Sequence, residues 1–140
     1  MFLQIKNTTI GYQKPLISEV NASLDFGDVC LLIGNNGVGK TTLIKSILNQ
    51  ISLLQGDILI NKKNVIKLTD KEIAEQIAVV FAKSQIPANY TTEDLISLGK
   101  FIHLPFYYQL ENEDIEHVNS IISQLKLEEY KNIQLQKLSD

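Results

Sequence analysis

The sequence predicts an α/β fold in which an antiparallel β region precedes a strand, glycine loop and helix unit and a mostly helical second half. Three observations predict it. Short β-type runs separated by turn signals fill the first third; the apolar run VCLLI at 29–33 leads straight into GNNGVGKTT; and beyond residue 70 apolar residues recur at helical spacing.

Taken in order, FLQIKN, TTIGY and VNASLDF read as strands, with turn signals at Lys14-Pro15 and Gly27-Asp28. VCLLI is continuously apolar, as a strand covered on both faces would be, which predicts a core position for Cys30. In the residues after the glycine loop, Leu43, Ile44, Ile47, Leu48 and Ile51 mark one face of a helix. Gly56 opens a short strand, DILI, and Thr69-Asp70-Lys71-Glu72 has the form of a capping box at the start of a helix. IAVVFA at 77–82 is a second buried-strand run. Thr91 and Asp94 frame the start of the helix EDLISLGK. In NEDIEHVNSIISQLK the residues Ile115, Val118, Ile122 and Leu125 share a face, and the acids Glu111, Glu113, Asp114 and Glu116 suit a solvated helix start.

At 140 residues, 44% hydrophobic and 21% charged, the chain has the balance of one globular domain. No apolar run approaches the ~18 residues that span a bilayer, and MFLQIKNTTI lacks the order of a secretory signal, so a cytoplasmic place is expected. A net charge of −3 with dispersed lysines argues against nucleic acid as a partner. His103 and His117 have no nucleophile or metal-ligand constellation around them and read as surface or loop residues.

The stretch Gly34-Asn35-Asn36-Gly37-Val38-Gly39-Lys40-Thr41 satisfies the phosphate-loop pattern. Backbone amides must wrap a polyphosphate, so the chain must lack bulky Cβ atoms at its tightest points; Gly34 and Gly39 bracket the wrap and Gly37 eases it. Lys40 would reach the β- and γ-phosphates, the Thr41 hydroxyl would ligate Mg²⁺, and Thr42 would contact the α-phosphate. The bland alternative is a glycine turn with an incidental lysine. A buried strand before the loop and a helix after it argue against that.

GNNGVGKTTL resembles the Walker A motif of ATP-binding-cassette (ABC) ATPases, and the likeness runs through all 140 residues. Tyr12 matches the aromatic that stacks on adenine in that family. LQGDILINKKNV resembles the hairpin after the Walker A helix, and DKEIAEQIAVVFA the segment leading to the Q-loop. The resemblance implies a P-loop NTPase fold of the ABC type, truncated before Walker B: β subdomain and P-loop core in 1–90, helical subdomain in 91–140. The segment EDLISLGKFIHLPFYYQLENEDIEHVNSIISQLKLEEY is similar to the helical region of ATPases serving iron-siderophore, haem and cobalamin importers. Leu138-Ser139-Asp140 resembles the opening of their "LSDGQ" signature.

Two positions depart from the family. The Q-loop glutamine's place holds Ala82, and Gln85, three residues on, is the candidate substitute for contacting Mg²⁺. No four apolar residues ending in Asp-Glu occur, so the Walker B glutamate that would activate water is absent and no catalytic residue is assigned. The resemblance implies an importer subunit that binds ATP and Mg²⁺, forms a homodimer at full length, and sits against transmembrane permease subunits on the cytoplasmic face of the inner membrane. The segment alone is expected to be inactive. Two alternatives stay open: a non-hydrolysing nucleotide-binding module or half-domain that needs a separate C-terminal part, and a soluble ABC protein of DNA repair or translation.

Overall fold

The computed structural model describes residues 1–80, 89–101 and 109–138. Its contacts divide the chain into two compact units, Met1–Ile77 and Ala78–Asp140.

In the first unit, β1 (Leu3–Gly11) and β2 (Pro15–Leu24) form an antiparallel hairpin. After α1 (Lys40–Ile47), β3 (Gln55–Ile60) pairs with the other edge of β1, and the short β4 (Lys63–Asn64) completes a sheet of order β2-β1-β3-β4. Strand side chains alternate between faces, so Ile5 and Ile10 would ordinarily point opposite ways. Both are buried in one core with Ile58 and Ile60. A register break between Ile5 and Thr8, with Asn7 at φ 44°, shifts the alternation by one and returns Ile10 to the inner face. The Thr8 hydroxyl, fully buried there, donates to the carbonyls of Lys6 and Asp57.

Helix α1 seals the core with Leu43 and Leu48, while Ile47 is half-buried and Ile44 faces out. It ends one turn earlier than the apolar pattern suggests. Asn49 turns left-handed at φ 55°, its amide donates to Ser46 O, and the Gln50 amide donates to Lys45 O, so Ile51 lies beyond the helix. A 3₁₀ turn (Val65–Lys67) leads to α2 (Asp70–Ala74), whose capping box is complete: Glu72 N donates to Thr69 Oγ1 at 3.2 Å and Thr69 N donates to Glu72 Oε2 at 2.9 Å.

The second unit holds α3 (Thr92–Leu98) and α4 (Asn112–Gln124). Thr91 and Asp94 form the capping box of α3. On α4, Val118 and Ile122 are buried while Ile115 and Leu125 remain exposed. Asp114 receives the Glu111 amide and pairs with the Lys100 ammonium at 3.1 Å, so the acidic helix start is also an ion-pair site. The chain then turns back so that Leu135 N donates to Tyr90 O and Thr92 N donates to Ile133 O.

Two expected buried strands are also missing among the described residues. VCLLI forms no strand and pairs with none among the described residues, and Val29, Leu31, Ile33 and Cys30 are exposed rather than buried. The described part of IAVVFA, residues 77–80, is likewise unpaired. A strand that is apolar on both faces becomes one only when neighbouring strands satisfy its backbone and other layers cover it. The described residues supply neither.

Candidate phosphate-binding site

The loop between the VCLLI segment and α1 lies wholly in the first unit. Its first half turns through a Val38 N to Asn35 O bond of 3.4 Å, and Asn35, Asn36 and Val38 are exposed. Gly37 has φ 81° and open space around its Cα. Gly39, the residue capping α1, has φ 110° and is buried. Both dihedrals lie where an L side chain is strained, so glycine suits both places; of the two, the phosphate-loop pattern itself specifies only Gly39.

The Lys40 side chain arches back over the loop: Nζ donates to Gly34 O at 2.6 Å and to Asn35 O at 2.8 Å. Its charge thus stands above the segment whose amides would meet an anion. The amides of Gly37, Gly39, Lys40 and Thr41 find no acceptor among the described residues. They include the first orphan donors of α1, where the helix dipole favours negative charge. Thr41 is exposed, as a metal-ligating hydroxyl must be; Thr42 is buried. An open glycine loop, free amides and one poised ammonium fit a polyphosphate, and the Thr41 hydroxyl fits a Mg²⁺ that keeps most of its other ligands from water and phosphate.

Tyr12 stands at the tip of the β1–β2 hairpin and is 67% exposed, leaving its ring available for stacking. Beyond the tip, a Cβ placed on Gly39 would lie 2.9 Å from both Ile17 Cδ1 and Leu16 Cδ2, so these two β2 side chains touch the loop's last glycine. The sequence reading missed them, since nothing separates them from other apolar strand residues. Gln85, Ala82, His103, Ser139 and Asp140 lie outside the described residues, and Leu138 follows a final 3₁₀ turn.

Outside the loop, three carboxylates among the described residues have lowered pKa values. Glu72 and Asp94 are held down chiefly by hydrogen bonds from the Thr69 and Thr91 backbone amides, and Asp114 chiefly by the Lys100 hydrogen bond. All three are fully explained by helix capping or ion pairing. Among the described residues no group of three or more His, Cys, Asp or Glu could hold a metal.

Residues 17–140 match the family described as ABC transporter. The chain is 28% identical over 138 residues to the iron(3+)-hydroxamate import ATP-binding protein FhuC of Bacillus subtilis, covering 98% of this chain and 51% of that protein. It is 30% identical over 139 residues to the petrobactin import ATP-binding protein YclP of the same organism, covering 98% and 54%. The chain therefore spans about half the length of the curated relatives it matches. Among solved structures, a nucleotide-free ATP-binding cassette from an ABC transporter superposes with a TM-score of 0.74 at 27% identity, covering 99% of this chain and 59% of that one. An ATP-binding subunit of an ABC transporter shares the fold at a TM-score of 0.80 and 23% identity, covering 99% and 56%. With a glycine loop of the phosphate-binding pattern at the head of α1 and a family match reaching from β2 to the last residue, the chain belongs to the ABC transporter family.

Proposed function

We propose that this chain is the nucleotide-binding part of an ABC importer ATPase that couples Mg-ATP binding and hydrolysis to uptake of an iron chelate. The carrying observation is the Gly34–Thr41 loop, with its free amides at the start of α1 and Lys40 folded over it. The import of iron-hydroxamate and petrobactin named for the two relatives supports the siderophore class over haem or cobalamin.

In this reading Tyr12 stacks on adenine, and the amides of residues 37–41 bind the phosphates. Lys40 exchanges its carbonyl partners for β- and γ-phosphate oxygens, and Thr42 backs the α-phosphate. Mg²⁺, held by Thr41 and with Gln85 as a further candidate ligand, would neutralise charge on the phosphates. The loop stabilises charge on the transferred phosphoryl group; the base that activates water comes from outside these residues. The β subdomain and phosphate-loop core occupy 1–90 and the helical subdomain 91–140, ending in the signature start Leu138, Ser139 and Asp140. The full-length protein pairs as a homodimer beneath transmembrane permease subunits, on the cytoplasmic face of the inner membrane. No helix among the described residues is long and apolar enough to cross a membrane itself.

A second reading is favoured by one observation, the bare apolar run at 29–33: the chain acts as a non-hydrolysing half that a separate C-terminal part completes. Titrating ATP with Mg²⁺ into the chain tests the shared core of both readings. Saturable binding supports it, and no binding at millimolar nucleotide refutes it. Steady hydrolysis on adding a C-terminal half of an iron-chelate ABC ATPase favours the first reading; binding without turnover favours the second.

A further inference from the structure

We propose that Ile17, with Leu16 beside it, is a positioning residue for the phosphate loop: the β2 side chains form the seat on which Gly39 rests and so fix where the loop's amides point. This rests on the nucleotide reading above.

Gly39 is buried although Asn35, Asn36 and Val38 are exposed, and the place a Cβ on it would take is bounded by Ile17 Cδ1 and Leu16 Cδ2. Ile17 is half-buried, packs against the core, and stands opposite the fully buried Ile10 in the β1–β2 register. Leu16 is more exposed and less tied. The seat is therefore anchored to the sheet through Ile17. On the loop's other side the VCLLI segment makes no strand pairing among the described residues, so β2 and α1 carry the loop. Glycine takes up φ 110° freely and leaves it as freely, so the packing of β2 against Gly39, and not the residue's own preference, is what fixes this conformation. Removing the Ile17 side chain opens a gap beneath Gly39 and lets the following amides of Lys40 and Thr41 reorient.

The same hairpin bears Tyr12 at its tip. Tyr12 can act only on a ligand with a base, whereas a seat for Gly39 acts on any polyphosphate.

Titrations of wild type, Ile17→Ala, Ile17→Val and Tyr12→Ala with Mg-ATP and with Mg-tripolyphosphate, which has no base, separate these roles. Each is run well below the Tm found for that protein. Ile17→Ala is expected to weaken both ligands by a similar factor of about tenfold and Ile17→Val by about threefold, while Tyr12→Ala weakens ATP alone. If Ile17→Ala does not fold, the one-methyl change to Val decides. Tripolyphosphate affinity within about 1.5-fold of wild type in Ile17→Val, and within about twofold in Ile17→Ala where it folds, overturns the proposal even if Tm falls. Wild type that binds neither ligand overturns the nucleotide reading itself, a result distinct from insensitivity of the variants.

Discussion

The Lys40 ammonium lies 2.6 Å from the Gly34 carbonyl oxygen, closing the phosphate loop on itself with its own cation. Charge-assisted hydrogen bonds are short and strong, so Lys40 holds the loop's entrance while its amides stay unpaired. In the proposed binding mode a phosphate would win the ammonium from Gly34 and Asn35, because its charge is full where a carbonyl's is partial. Lys40→Ala removes both the loop's brace and its cation. ATP affinity is expected to fall by about 1.5–3 kcal/mol, roughly 10- to 150-fold, by calorimetric titration. Unchanged affinity would falsify the assignment of this loop to phosphate.

Gly39→Ala tests the backbone rather than the charge. The new methyl would meet the flexible ends of Ile17 and Leu16, which can yield, but φ 110° cannot be adopted without strain by alanine. The expected cost is about 1–3 kcal/mol in thermal or urea unfolding, together with weakened nucleotide binding. Equal stability and affinity would mean that the loop occupies another conformation in solution.

What the sequence made legible was local. The capping boxes at Thr69 and Thr91 need only residues three apart, and both form as the pattern indicates. The turn of the glycine loop is legible for the same reason, since its spacing alone places the left-handed Gly37 and Gly39 just ahead of a helix. The Asn7 bulge was not, because the alternation around FLQIKNTTIG admits either face until β3 packs beside it. Nor was the early end of α1, where Asn49 rather than glycine takes the left-handed position. VCLLI was misread for a deeper reason: its composition reports the partners it needs, and the described residues do not contain them. Ile17 shows the converse, an ordinary strand residue whose importance comes only from what the fold lays on it.

The capped helices imply a definite acid dependence. Glu72 and Asp94 have folded pKa values below their ordinary 4.5 and 3.8, because the amides of Thr69 and Thr91 donate to the ionised forms. A lowered folded value means the contribution is fully present above the ordinary pKa and is lost as pH falls through the folded one. Stability should therefore decline below about pH 4.5, first in the unit bearing Glu72. Glu72→Gln and Asp94→Asn should flatten that limb in urea titrations between pH 3 and 6. Thr69→Ala and Thr91→Ala, which remove the caps directly, should each cost about 1 kcal/mol at neutral pH.

The run at 29–33 offers the last test. Val29, Leu31 and Ile33 are 97%, 79% and 81% exposed, with backbone groups that no strand pairs among the described residues. Such a segment combines an apolar patch with backbone groups that no strand pairs, two features that promote association. The 140-residue chain is expected to bind an environment-sensitive dye such as ANS and to associate as its concentration rises. Leu31→Lys should reduce both while leaving Tm nearly unchanged, because a side chain so exposed contributes little to the core. A monomeric wild type that binds no dye would show that the run is covered in solution. The distinction matters for function, since this segment leads directly into Gly34, the first residue of the glycine loop.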